Sequence, residues 1–193
     1  MEPDRLDPEL ARRIRVVILD ADGVLTDGGI YVADGEREAF ELRRFHVHDG
    51  VGILMLRRAG ITVAIVSGRL SRAVRTRAAE LDLEEVHQVD PFDKLPTIEA
   101  LLARHGARWD EAAYIGDDLA DLAVLGEVGL PAAVPGAAAE VRAAAAWTSR
   151  KAGGTGAVRE FAEALLHARR EWTPQVEAYV EECLARWREG RDG

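Results

Sequence analysis

At 193 residues, 48% hydrophobic and 31% charged, the chain has the size and balance of one ordinary globular domain, which argues against disorder. A formal net charge of -9 disfavours nucleic acid and anionic membrane as partners, and no uninterrupted apolar run approaches the roughly 20 residues that span a bilayer. Cys183 is the only cysteine, so neither an internal disulfide nor a cysteine zinc site is available, and the charged start Met1–Arg13 lacks a signal-peptide core; a soluble, cytoplasmic protein is expected.

In chain order, Val16-Val17-Ile18-Leu19 is a β-rich apolar run ending in Asp20 and reads as a buried central strand. Ile30–Val32 and Phe40–Phe45 read as two further strands, with Asp34-Gly35 between them as a hairpin turn. Asp49–Ala59 is expected to be helical, with Gly60 at its C-terminus. Then follow a strand at Thr62–Val66, a helix at Ser71–Leu81, a weaker strand at Val86–Val89, a helix at Lys94–His105 and a strand at Ala112–Ile115. A short helix at Leu119–Leu125 precedes a small strand near Ala132–Val134. The alanine-rich run Ala137–Ala146 reads as a plain helix, Gly153–Gly156 as a flexible loop, and Ala157–Arg170 as a helix. Glu171–Arg188 continues as an amphipathic helix carrying Trp172, Tyr179 and Trp187, an extension expected to pack on the domain or on a neighbouring subunit. Residues 1–170 are thus expected to form one domain and 171–193 the extension.

Strand and helix alternate throughout, which predicts an α/β fold: a doubly wound, mainly parallel sheet with a hairpin inserted after the first strand. In such sheets ligands lie beyond the carboxyl ends of the strands. The polar residues that end strands are therefore the candidates.

Asp20 and Asp22 stand two positions apart where a buried strand opens into a loop bearing Gly23. One carboxylate can attack phosphorus while the other gives a proton to the leaving alcohol and then activates water; equally, Asp22-Gly23 is an ordinary turn dipeptide. Ser67-Gly68-Arg69 offers a hydroxyl and a backbone N–H to an anion, although Ser67 also suits a plain helix cap. Lys94 near a helix start opposes the macrodipole, a cost that a phosphate partner would explain and that a solvated lysine would not need. Asp117, Asp118 and Asp121 at one strand end are more acid than a cap requires, and with Asp20 they would suit Mg²⁺; Asp118 and Asp121 can also act simply as caps.

The order of these four sites resembles the haloacid dehalogenase superfamily of phosphotransferases over about four-fifths of the chain. That resemblance implies Asp20 as nucleophile and metal ligand, and Asp22 as general acid and base with its backbone carbonyl on the metal. It implies Ser67 and Lys94 as the groups holding phosphoryl oxygens, Asp117 as the remaining metal carboxylate, Asp118 as the carboxylate orienting Lys94 or metal-bound water, and Asp121 as an outer support. The gaps of 67 − 20 = 47 and 94 − 67 = 27 positions leave no room for a folded cap domain. This is similar to the capless branch of 3-deoxy-D-manno-octulosonate 8-phosphate phosphatases, which are homotetramers. Asp20 to Gly28, Phe45 to Ile53 and Ala152 to Glu160 are close to that branch.

Membership there implies a small phosphorylated keto-sugar acid as substrate and a homotetramer in which hairpin 29–45 covers a neighbour's active site. It further implies substrate contacts from His46, His48, Asp49, Gly50, Gly68, Arg69 and Arg77. Leu54, His48 and Thr155 stand where the branch often carries basic residues, which leaves a related nonulosonate 9-phosphate or another small sugar phosphate open as substrate. A non-catalytic tetramerisation module is the reading from a different class; a phosphomutase would need a cap that this chain lacks.

Overall fold

A computed structural model of the chain describes residues 6–33 and 40–191. The Asp34-Gly35 turn expected from the sequence lies outside the described residues.

The first short helix, α1 (Pro8–Arg13), was not anticipated; Asp7 caps it, its carboxylate accepting from Glu9 N–H at 2.7 Å. Six parallel strands form the sheet: β1 (Val16–Leu19), β4 (Thr62–Ser67), β5 (Glu85–Gln88), β6 (Ala112–Gly116), β7 (Leu130–Ala133) and β8 (Trp147–Thr148), in the order β5-β4-β1-β6-β7-β8. β1, β4 and β6 are almost wholly buried, as continuous apolar runs in a parallel sheet should be. A separate antiparallel pair, β2 (Tyr31–Ala33) and β3 (Phe40–Leu42), is the hairpin; Tyr31 faces Leu42, and a bridge from Thr26 to Phe45 closes its base.

The helices are α2 (Val47–Arg58), α3 (Arg72–Glu80), α4 (Lys94–Arg104), α5 (Leu122–Leu125), α6 (Ala139–Ala144), α7 (Ala157–Ala168) and α8 (Trp172–Glu189). Apart from α3, which meets β3, they form two groups: α2 packs on α7, which also meets α1 and α8, whereas α4 packs on α5 and α5 on α6. The α7 face that seals the first group carries Val158, Phe161, Ala162, Leu165 and Leu166, all buried. Each such large apolar side chain contributes roughly 1.5–3 kcal/mol.

Three expectations are corrected. The alanine-rich helix is confined to Ala139–Ala144, because Ala138 N–H donates to Asp117 O at 2.8 Å and Ala146 N–H to Pro131 O at 2.9 Å, drawing both ends of the run into other structure. The run instead delivers the unanticipated edge strand β8. Second, α7 and α8 are separate helices: Arg170 takes a positive φ of 63°, which ends one before the next starts. Third, Gly153 and Gly154 are not a free loop. Their backbone presses on residues 23–27, where a Cβ on Gly153 would overlap Gly23 O, and Gly154 N–H donates to Val24 O at 3.2 Å. Among the described residues no cap domain intervenes between Asp20 and Ser67 or between Ser67 and Lys94. No helix is long and apolar enough to cross a membrane.

Candidate active site

The chain runs outward from central β1 through β4 to β5, then returns to lay β6, β7 and β8 on the other side. That reversal puts the ends of β1, β4 and β6 side by side, at the place where such sheets hold ligands. Asp20 follows β1, Ser67 ends β4, and Asp117 follows β6. A cleft of about 280 Å³ is lined by Asp20, Asp22, Ser67, Gly68, Arg69, Lys94, Asp117, Asp118 and Asp121, with Gly28 and Pro91. The four sites separated along the chain thus share one cavity.

Asp20 N–H still donates to Ile115 O at 3.0 Å, so the sheet ladder fixes its backbone. Beyond it the chain folds into a tight turn, Ala21–Leu25, in which Gly23 adopts φ +82°. A side chain there would collide with the Asp117 carboxylate, so this glycine is what lets Asp117 approach. Buried Thr26 closes the turn, its Oγ1 accepting from Gly23 N–H at 3.4 Å and Gly28 N–H at 3.2 Å.

Lys94 is only 3% exposed. Its Nζ reaches Asp121 Oδ1 at 2.7 Å, Asp20 Oδ1 at 2.9 Å and Tyr114 OH at 3.1 Å. Burial alone would lower its pKa, but Asp20 and Asp121 raise it, and the ammonium stays charged. Asp121 is fully engaged: Oδ1 also accepts from Tyr114 OH at 2.6 Å, and Oδ2 accepts from Asp117 N–H at 2.9 Å and Asp118 N–H at 3.2 Å. Burial and the Asp121 charge push Asp20 up to about 8 against the pull of Lys94. Burial and the charges of Asp121 and Asp118 push Asp117 up to about 7. Crowded carboxylates outnumber the one ammonium among them, and oxygens of Asp20, Asp117 and Asp121 lie within 4.8 Å of one another. Such an excess of hard, buried oxygen donors fits a divalent cation, which would relieve the repulsion.

Of the two roles expected of Asp118, orienting Lys94 falls instead to Asp121, while Asp118 caps the following turn, its Oδ1 accepting from Leu119 N–H at 2.8 Å. Tyr114 was missed altogether; its signal was a lone hydroxyl inside an otherwise small and apolar strand, where a buried phenol must find a partner.

Asp22 faces the base of the hairpin. Arg43, whose side chain is 0% exposed, brings Nη1 to 2.9 Å from Asp22 Oδ1, an ion pair not aligned as a hydrogen bond, and Nη2 to 3.5 Å from Oδ2. The same guanidinium donates to Glu41 at 2.8 Å and to Gly29 O at 3.2 Å. Glu41 also meets Arg69 at 3.3 Å and accepts from Ser71 OH at 3.1 Å. Glu41 in β3 and Arg43 just past its end stand two positions apart in an extended segment and so fall on one side of it, a sign that was available in the sequence. Ser67 Oγ accepts from Arg69 N–H at 3.3 Å, so Gly68 and Arg69 curl around the cleft.

The remaining candidates do not reach this cleft within one protomer. Arg77 pairs with Glu80 at 3.0 Å and, with Val47, Gly50, Leu54 and Arg57, lines a different cavity of about 320 Å³. His46 caps α2, its Nδ1 accepting from His48 N–H at 3.3 Å, and the two rings meet edge to face at 4.9 Å. Asp49 is buried and structural: its Oδ1 accepts from Arg159 N–H at 2.8 Å, tying α2 to α7. Thr155 bonds to Ala152 O at 2.6 Å within its own turn.

No protein-family model matches the chain. It is 40% identical over 158 residues, 82% of each chain, to the 3-deoxy-D-manno-octulosonate 8-phosphate phosphatase KdsC of Yersinia pestis. The crystal structure of such a phosphatase from Moraxella catarrhalis, in complex with magnesium ion, phosphate ion and KDO, aligns with TM-score 0.82 and 35% identity, covering 89% of this chain and 97% of that one. The cobalt-bound enzyme of Haemophilus influenzae aligns with TM-score 0.76 and 36% identity, covering 83% and 91%. At 40% identity over 82% of each chain, with solved structures of the same enzyme matching its fold, this chain belongs to the 3-deoxy-D-manno-octulosonate 8-phosphate phosphatase family of the haloacid dehalogenase superfamily.

Proposed function

We propose that this chain hydrolyses 3-deoxy-D-manno-octulosonate 8-phosphate to the free sugar acid and phosphate, through an aspartyl-phosphate on Asp20. The observation that carries the chemistry is the buried bond from Lys94 Nζ to Asp20 Oδ1, which holds the carboxylate in place and leaves Oδ2 to attack. Asp20 Oδ2 bonds to phosphorus as the ester P–O bond breaks, and the Asp22 carboxyl gives its proton to the departing sugar oxygen. Asp22, now a carboxylate, takes a proton from water; that water attacks phosphorus, the Asp20–phosphorus bond breaks, and phosphate leaves. Arg43 fixes the Asp22 side chain for both steps. Ser67 and Lys94 hold the phosphoryl oxygens, so positioning and charge neutralisation do most of the catalytic work.

Mg²⁺ would be held by the Asp20 and Asp117 carboxylates and the Asp22 carbonyl, and when bound it neutralises phosphoryl charge. Asp121 serves Lys94 and two backbone N–H groups instead, since both its oxygens are already engaged. Gly68 and Arg69 at the cleft rim are the substrate contacts supplied by the same protomer. His46, His48, Gly50 and Arg77 would meet substrate only from another subunit, in a homotetramer whose hairpin covers a neighbour's site. Ile30, Tyr31, Val32 and Leu42 on that hairpin are exposed, which supports its burial between subunits. The acidic charge and single free cysteine agree with a cytoplasmic setting.

Phosphate release from 3-deoxy-D-manno-octulosonate 8-phosphate, a nonulosonate 9-phosphate and simple hexose phosphates, measured with and without Mg²⁺, tests the reading. The octulosonate ester should give the highest kcat/KM, and only with the metal. A preference for the nine-carbon acid would move the substrate assignment. Absence of Mg²⁺-dependent release from every ester would leave an assembly module.

A further inference from the structure

Helix α8 bears two apolar stripes, and its own domain partly covers one. On the covered side Arg159 lies 4.8 Å from the Trp172 ring, Arg58 lies 5.7 Å from the Tyr179 ring, and Arg58 pairs with Glu182 at 2.7 Å. Val180, Leu184 and Trp187, spaced i, i+4, i+7, fall about 100° further round the helix. They remain 49%, 43% and 57% exposed. This is an uncovered helix seam of the kind that pairs with another helix.

Charges beside the seam say which helix. Glu177 and Glu181 flank its first half, and Arg188 and Arg191 its second. None of the four makes an ion pair among the described residues; Arg191 only stacks on Trp187, at 4.7 Å. An acidic first half and a basic second half complement the same helix turned end for end.

We propose that α8 pairs antiparallel with α8 of a second copy of this chain, about a two-fold axis at Leu184. The two Leu184 side chains then meet on the axis, and Val180 of each copy packs on Trp187 of the other. Glu177 and Glu181 of each copy face Arg191 and Arg188 of the other, so one arrangement satisfies the apolar seam and all four charges. The patch is self-complementary, as an isologous interface requires. A parallel pair would set Glu against Glu and Arg against Arg, and would align the two macrodipoles unfavourably. A membrane surface is a poorer occupant, because anionic lipid would repel the glutamates beside the seam.

Cys183 is exposed, is the chain's only cysteine, and lies one residue from the proposed axis. Helix axes in such a pair run about 8–10 Å apart, so a short bis-maleimide should join two native full-length chains through Cys183. The covalent dimer should form in the wild type and be lost in Leu184→Glu. It should fall several-fold in Glu177→Arg/Glu181→Arg, and return when Arg188→Glu/Arg191→Glu is added. Phosphate release should be unchanged in every variant, and circular dichroism should show each one folded. Sedimentation of Leu184→Glu separates this contact from a hairpin-held assembly, which would persist. The pairing is overturned if the wild type yields no crosslinked dimer or if Leu184→Glu crosslinks equally well. Failure of the compensating charges to restore the dimer would overturn the antiparallel arrangement.

Discussion

Two clusters in this molecule are built from the same kinds of group in opposite proportions. Around Lys94, one ammonium stands among Asp20, Asp121 and nearby Asp117, deep beneath the ends of the central strands. Around Glu85, one carboxylate on edge strand β5 meets Arg104 at 2.7 Å, His87 at 2.7 Å and His105 at 2.9 Å near the surface. Burial works against the charged acid in both. In the first cluster too few cations oppose it, and Asp20 and Asp117 rise to about 8 and about 7. In the second, burial is outweighed by hydrogen bonds from Arg104, His105 and His87, and Glu85 falls to about 2. An unbalanced acidic cluster demands a cation and can do chemistry with it; a balanced one only holds the edge of the sheet.

The largest expected effect comes from removing the attacking oxygen. Asp20→Asn should reduce phosphate release by at least ~10³-fold while the thermal melt stays near wild type, because a crowded buried acid becomes a neutral amide. Retained turnover would exclude Asp20 as nucleophile. Lys94→Met should also silence the enzyme, but through the fold as well. It strips the partner from buried Asp20 and Asp121, and loss of one member of a buried ion pair costs about 3–5 kcal/mol. Urea denaturation at pH 8 would measure that cost, and an unchanged midpoint would mean that the cluster is far wetter than its burial implies.

The strand-end half of the first cluster was legible because each strand is a short apolar run closed by a polar residue, and a parallel sheet gathers all such ends on one side. Asp20, Ser67 and Asp117 follow from that rule. The choice between Asp118 and Asp121 did not, since three acids within one helical turn cannot be phased from sequence alone. Tyr114 looked like core filling until its hydroxyl had a neighbour. Arg43 escaped because it acts from the hairpin, whose docking against Asp22 is a tertiary fact. Arg77 misses the cleft of its own protomer for a plain geometric reason: at about 1.5 Å per residue, six positions along α3 from Ser71 carry it roughly 9 Å from the end beside that cleft.

The opposite pKa shifts give the clusters opposite pH signatures. For Asp20 the folded protein keeps a proton that the unfolded chain gives up, so stability should fall as pH rises from about 4 to about 8. Asp117 acts in the same sense up to about 7. Mg²⁺ must displace those protons, so its affinity should climb between pH 6 and pH 9, on the order of a thousandfold, with protons released on binding. Calorimetric titration of EDTA-treated protein in two buffers of different ionisation enthalpy reads both quantities. An affinity independent of pH would show that these carboxylates are not the ligands.

Glu85 should give the smallest and most selective effect. Its pKa is depressed, so its contribution to stability is complete above about 4.5 and is lost as pH falls through about 2, where the folded carboxylate finally takes up its proton. Glu85→Gln removes that dependence without touching the cleft, so the variant should match wild type in turnover and lose less stability between pH 4.5 and 2. Because the cluster lies at the sheet edge, with Arg104 49% and His105 33% exposed, solvent screening keeps the difference on the scale of exposed pairs, about 0.2–1 kcal/mol at neutral pH. Thermal melts across that acid range, compared with the same series above pH 5, would isolate it. If Glu85→Gln instead steepened the acid loss, protonation of Glu85 would not be what drives that loss, and the contrast between the two clusters would fail at its simpler end.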